Sequence, residues 1–173
     1  SEYSTIQSAV DNATNGSIIM VAPGTYSGEG NIDINFDGNN ITLISEAGPE
    51  STIIDCGGAE RGFTFENGED STSVLDGFTI INGNRSEGGG IYCYYSSPTI
   101  KNCLIYDCFA ETGGGIYLEQ SSARIINSTI YNNTFQEIRI INPKGIHIIN
   151  SIIDYGHGIS CDSDCMSSGG VDQ

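Results

Sequence analysis

The residues that could do chemistry are unevenly supplied. The chain holds 22 Asp and Glu against 6 Lys and Arg, for a formal charge of −16. The cations are Arg61, Arg85, Lys101, Arg124, Arg139 and Lys144. Polysaccharide cleavage by general acid–base catalysis needs carboxylates, or a carboxylate and a base, converging on one face. Lys101 and Arg124 are 23 residues apart and fall on adjacent copies of a repeat, where a solvated face is the simpler use for them. Asp33, Asp37, Asp55 and Asp76 have no carboxylate partners at the repeat spacing, and His147 and His157 stand alone. No catalytic set is expected. The oxygen-rich runs Asn31 to Asn39 and Glu66 to Asp70 offer the ligands a hard cation takes, without EF-hand or nonapeptide spacing. Calcium is therefore the one cofactor the composition admits, and otherwise none is expected.

Charge also limits the partners. Six scattered cations cannot build the basic face that a phosphate backbone requires, so nucleic acid is excluded. No apolar run approaches the ~20 residues of a membrane span, so membrane insertion is excluded as well. Cys56, Cys93, Cys103, Cys108, Cys161 and Cys165 are even in number and contain no CxxC pair, which favours disulfides in an oxidising compartment over a zinc site. Asn12, Asn15, Asn40, Asn84, Asn127 and Asn132 each open an Asn-X-Ser/Thr acceptor triplet. Together these features predict a secreted or cell-surface location.

The elements that must position these groups are set by an internal repeat. Gly88-Gly-Gly-Ile-Tyr92 recurs as Gly113-Gly-Gly-Ile-Tyr117, 25 residues on. Ser97 to Tyr106 aligns with Ser122 to Tyr131 at the same spacing, and Ile146 to Ile153 follows 23 residues later. Each copy alternates short Ile, Val, Tyr, Thr and Phe runs with Gly, Asn, Ser and Asp turns. A ~25-residue unit of short strands buries its apolar side chains only by stacking on its neighbours, as in a solenoid. Asn102, Asn127 and Asn150 recur at one bend and are expected to form a stacked amide ladder. Asn82, Asp107 and Asn132 form a second such series. Tyr92 with Tyr117, and Tyr106 with Tyr131, also recur at coil spacing. Such stripes serve either as packing or as a surface for sugar rings or a neighbouring chain.

Tyr3, Ile6, Val10 and Ala13 share one helical face, which predicts a short helix over the open end of the first coil. The expected organisation is a capping helix in 1–16, coils in 17–158 and a Cys-containing tail in 159–173. At the carboxyl end, three arrangements are open. The tail folds back over the last coil, the edge pairs with another subunit, or a longer chain continues.

The Thr5-Ile-Gln segment, Val21-Ala-Pro-Gly-Thr-Tyr26, Gly77-Phe-Thr-Ile-Ile-Asn-Gly83 and the two Gly-Gly-Gly-Ile-Tyr coils resemble the pectin-lyase-like superfamily. Within it, the chain is most similar to GG[AG]I-repeat surface proteins of bacteria and archaea. The resemblance implies an all-β, right-handed parallel β-helix with a short N-terminal capping helix. That fold carries lyases, hydrolases, adhesins and passive stalks alike. The repeats here lack the long insertions that build a groove wall. The expectation is a non-catalytic surface, adhesive or self-assembling protein that binds copies of itself or other surface proteins. The alternative is a carbohydrate-active enzyme or a carbohydrate-binding module.

Overall fold

The computed structural model describes residues 3–154 and 156–162. The chain opens with helix α1 (Ile6–Asp11), capped by Thr5, whose hydroxyl accepts from the Ser8 N–H while the Ser8 hydroxyl accepts from the Thr5 N–H. Ile6, Ala9 and Val10 are buried. Tyr3, expected on the buried face, precedes the cap and is 47% exposed, because Thr5 starts the helix after it.

Six coils follow. The first holds β1 (Ile18–Val21), β2 (Gly24–Ser27) and β3 (Ile34–Asn35). The second holds β4 (Thr42–Ser45), β5 (Thr52–Asp55) and β6 (Phe63–Phe65). The third holds β7 (Val74–Asp76), β8 (Thr79–Ile81), β9 (Asn84–Glu87) and β10 (Ile91–Tyr94). The fourth holds β11 (Thr99–Lys101), β12 (Leu104–Tyr106), β13 (Phe109–Thr112) and β14 (Ile116–Glu119). The fifth holds β15 (Arg124–Ile126), β16 (Thr129–Tyr131) and β17 (Ile138–Ile141). The sixth holds β18 (His147–Ile149), β19 (Ile152–Ile153) and β20 (Ile159–Cys161). The last strand thus lies inside the segment read as a tail.

Each strand pairs in parallel with its equivalent one coil away, making three six-stranded sheets and a two-stranded β9–β13 sheet. Alternate residues point inward, so one column of side chains runs the length of the stack: Leu43, Leu75, Ile100 and Ile125 from one sheet, Ile54, Ile80, Ile105 and Ile130 from the second, Ile34, Phe63, Ile91, Ile116 and Ile138 from the third. Each such side chain contributes roughly 1.5–3 kcal/mol through its burial. Parallel pairing favours these β-branched residues, and neighbouring coils remove the edges of the three six-stranded sheets except at the two ends.

Corners between sheets interrupt the backbone ladder, and side chains complete it. Asn102, Asn127 and Asn150 take positive φ of 54°, 50° and 48° at one corner. The next residue points inward, and Cys103 N–H donates to Ser128 Oγ while Ser128 N–H donates to Ser151 Oγ. At the next corner Cys108 N–H donates to Asn133 Oδ1. Backbone donors that the turn leaves without a carbonyl are thereby satisfied.

This placement corrects the disulfide expectation for four of the six cysteines. Cys56, Cys93, Cys103 and Cys108 are free, buried thiols inside the column, where they act as small apolar fillers: Cys103 at the corner that other coils give to Phe78 and Ser128, Cys108 at that of Asn133, and Cys93 at the strand position of Phe65 and Leu118. Cys161 ends β20, and Cys165 lies outside the described residues.

Candidate functional site

The outer face of the third sheet carries the densest group of aromatic and charged side chains. Register runs Asn35, Thr64, Tyr92, Tyr117, Arg139, Ser160 across six coils, all pointing away from the column. Tyr92 and Tyr117 stack with centroids 5.4 Å apart and planes at 10°. Arg61 places its guanidinium carbon 4.5 Å from the Tyr92 centroid on the other side. Parallel strands ~4.8 Å apart impose this spacing on any two aromatics at equivalent outward positions.

Beside the stack, Tyr94 lies 6.3 Å from Tyr92 and meets Tyr95 edge-on at 4.6 Å, and the Lys144 ammonium sits 5.4 Å from the Tyr95 ring. Tyr94 and Tyr95 are 38% and 54% exposed, whereas Tyr117 is 3% exposed. Tyr117 donates its hydroxyl to Glu119 at 2.8 Å. Burial first, then that bond to a carboxylate, raise its pKa well above the ordinary phenol value. Burial lowers the Arg61 pKa, partly offset by Asp33. The stack is therefore a packed platform, and Tyr94 and Tyr95 are its accessible margin.

Several of the charged groups that could have done acid–base work are engaged in holding the coils. Asp33 accepts from the Thr64 hydroxyl at 2.7 Å, and Arg85 pairs with Glu60. Lys101 reaches Asp76 at 3.1 Å, and Asp76 also accepts from Asn102 at 2.6 Å. Lys101 and Arg124 do sit on neighbouring strands, offset by two residues in register, since Thr99 opposes Arg124. His147 opposes Arg124 one coil further on. Arg139 bonds Ser160 at 3.0 Å and Asp162 at 2.5 Å.

Both oxygen-rich runs are used in the same way. Glu69, 1% exposed, accepts from Gly38 N–H at 2.9 Å, Asn67 N–H at 3.0 Å and the Ser96 hydroxyl at 2.8 Å. Asn31 accepts from Ile6 N–H, and Asn35 from Asp37 N–H. Among the described residues, no three His, Cys, Asp or Glu side chains converge as a metal ion requires. No helix among the described residues is long and apolar enough to cross a membrane.

The recurring amides lie one above another. Asn150 Nδ2 donates to Asn127 Oδ1 at 2.7 Å, and Asn127 Nδ2 to Asn102 Oδ1 at 3.4 Å. In the second series Asn82 bonds Asp55 and Asn132 bonds Asp107. Among the glycan acceptor triplets, Asn12, Asn84, Asn127 and Asn132 spend an amide N–H on Ser8, Gly58, Asn102 and Asp107. Asn15 and Asn40 accept from the N–H of Asn40 and Asp70.

Glu137 carried no signal of its own in the sequence, and Glu69 and Arg61, read there as a cation ligand and a basic candidate, hold a corner and stack on Tyr92 instead. Glu137 is fully buried and accepts from the Asn133 side chain and backbone, a coupling across one tight corner that leaves no periodic trace. Ser96 lies 27 residues after Glu69, a coil spacing that marks the pair once the register is known.

Residues 89–169 match a family model described as a right handed beta helix region. With the six stacked coils and the N-terminal helix, this defines the class: the chain is a right-handed parallel β-helix. Comparison with curated proteins and with solved structures gives no match.

Proposed function

We propose that the chain is a non-catalytic extracellular β-helix, a surface, adhesive or self-assembling module that meets its partner through the outer face of the third sheet. The observation that carries this is the Arg61–Tyr92–Tyr117 stack with Tyr94 and Tyr95 exposed at its margin. A rigid aromatic platform supplies contact area with little side-chain entropy to lose, which suits binding. Charged groups that elsewhere serve turnover are here tied to coil-to-coil bonds, which supports the non-catalytic reading. The acidity of the chain and its acceptor triplets support the extracellular placement. The aromatic margin, with Lys144 against Tyr95, also suits sugar rings, so carbohydrate stands as the second partner class.

The test uses the whole chain and a Tyr94→Ala/Tyr95→Ala variant. Sedimentation velocity reports self-association, and a panel of soluble polysaccharides reports binding and product release. Association or glycan binding that falls in the variant supports the proposal. Release of shortened or unsaturated products by the parent chain overturns it in favour of an enzyme.

A further inference from the structure

Helix α1 covers the N-terminal end of the first coil, and among the described residues it completes a strand ladder only above β3. Gln7 of α1 accepts from Asn35 N–H at 2.9 Å and donates to Asn35 C=O at 3.0 Å. A side-chain amide thus replaces the missing strand above β3, while Gln7 N–H bonds Gly30 C=O at 2.8 Å.

Above β1 the described residues offer no such replacement. The carbonyls of Ser17 and Val21 accept from Thr42 and Glu46, both at 2.9 Å. In a parallel ladder, bonding alternates by residue, so the backbone groups of Ile18 and Met20 face the opposite way. Among the described residues β1 pairs with β4 alone. A cleft of about 690 Å³ opens at this edge, lined by Ile6, Ala9 and Ala13 of the cap region, by Ile18 and Met20, and by Tyr26. Ile18 and Met20 are 72% and 66% exposed, the barest apolar side chains of any described strand apart from Ile152.

We infer that this cleft is a strand-accepting groove whose occupant is an extended, lysine- or arginine-bearing segment of another polypeptide. The chemistry selects the occupant. Alternating free N–H and C=O groups along an edge are complementary to another extended backbone. The apolar wall takes alternate side chains of the incoming strand, and β1 spans ~13 Å, enough for a short ladder. Charge selects against a second copy. The cap and first coil carry Asp11, Glu29, Asp33 and Asp37, Glu46 and Glu50 follow on the second coil, and every Lys and Arg of the chain lies at residue 61 or later. Two such acidic ends repel, whereas a basic segment is attracted. This surface is separate from the aromatic face and does not rest on it.

The experiment is fluorescence anisotropy of a labelled synthetic peptide of about nine residues, alternating valine and threonine between terminal lysines, matched to the reach of β1. It is titrated with the whole chain, beside two control peptides. One has proline at alternate positions and the other has glutamates in place of the lysines. Met20→Pro removes an N–H that faces the groove and spares the β4 ladder, so the coil is retained. Ala13→Trp fills the groove without touching the edge, and it decides the matter if the proline variant does not fold. Expected are salt-sensitive binding of the lysine peptide, at least about tenfold weaker binding of both controls, and at least about tenfold loss in both variants. Equal binding of the proline peptide, or unchanged binding in the folded variants, overturns the inference. So does a dimer of the parent chain that either variant dissolves, since the occupant would then be a second copy.

Discussion

Asn150 donates its side-chain N–H to Asn127 at 2.7 Å, joining two left-handed corner residues on consecutive coils. One amide side chain thus does two things, tolerating positive φ and bridging to the next coil. The two can be separated. Asn127→Ala loses both, because a Cβ without a local polar partner is disfavoured at φ 50°. Asn127→Gly keeps the backbone and loses only the ladder. Thermal or urea unfolding is expected to show a loss of about 2–3 kcal/mol for alanine and about 1 kcal/mol for glycine. Equal losses would mean that the left-handed φ costs alanine nothing, and no loss in the glycine variant would mean that the amide bonds contribute nothing.

The glycine triplets make a sterically harder demand. A Cβ at Gly115 would lie 2.4 Å from the Glu137 carbonyl oxygen and 2.8 Å from the Ile130 side chain. At Gly68 it would meet nothing within 4 Å, although φ there is 83°. Gly115→Ala is expected to cost more than about 3 kcal/mol or to prevent folding, and Gly68→Ala about 1–2 kcal/mol. Circular dichroism melts of the two variants check the order.

The buried thiols give a chemical readout. Burial pushes Cys103 and Cys108 up to about 12 and raises Cys56 and Cys93 as well. Native protein at about pH 8 should resist iodoacetamide at these four residues, and unfolded protein should label fully, as mass spectrometry can count. Cys103→Ser is expected to be mild, within about 1 kcal/mol, because Ser128 fills the same corner one coil on and bonds the Ile126 carbonyl at 3.0 Å. Cys93→Ser lies between Phe65 and Leu118 and should cost about 1–3 kcal/mol for an unpaired hydroxyl.

Glu137 makes stability depend on pH. Its carboxyl is raised above the ordinary range, chiefly by burial and against the Asn133 hydrogen bonds, which lower it. A raised acid binds its proton more tightly when folded. The folded state therefore gains as pH falls toward the folded pKa and loses that gain as pH rises past it. Relative to Glu137→Gln, the native chain should become more stable as pH drops from about 7 toward 5. Urea midpoints across that window read the difference, and a flat difference would remove Glu137 as the cause.

Periodicity made much of this molecule legible. The 25-residue offset between the two Gly-Gly-Gly-Ile-Tyr runs is the register that pairs Tyr92 with Tyr117, and the Asn series marked a corner whose residues bond coil to coil. Four of the cysteines misled because even number and acidic composition say nothing about direction. Cys93 alternates inward with Ile91 on β10, Cys103 and Cys108 turn inward at separate corners, and such buried thiols are fillers. Arg61 lies 24 residues before Arg85, but the register sets it opposite Gly89, so nothing in the sequence announced that it stacks on Tyr92.

By itself, the sequence determined the coil length, the inward Ile and Phe column, the left-handed Asn corners and the short N-terminal helix, because each depends on local geometry repeated at one spacing. Tertiary structure decided which carboxylates were bound up, that four thiols stay free, and that α1 seals β3 while leaving β1 open. Those outcomes depend on where coils of unequal length and one capping helix come to rest against each other, a relation between distant segments that no single repeat encodes.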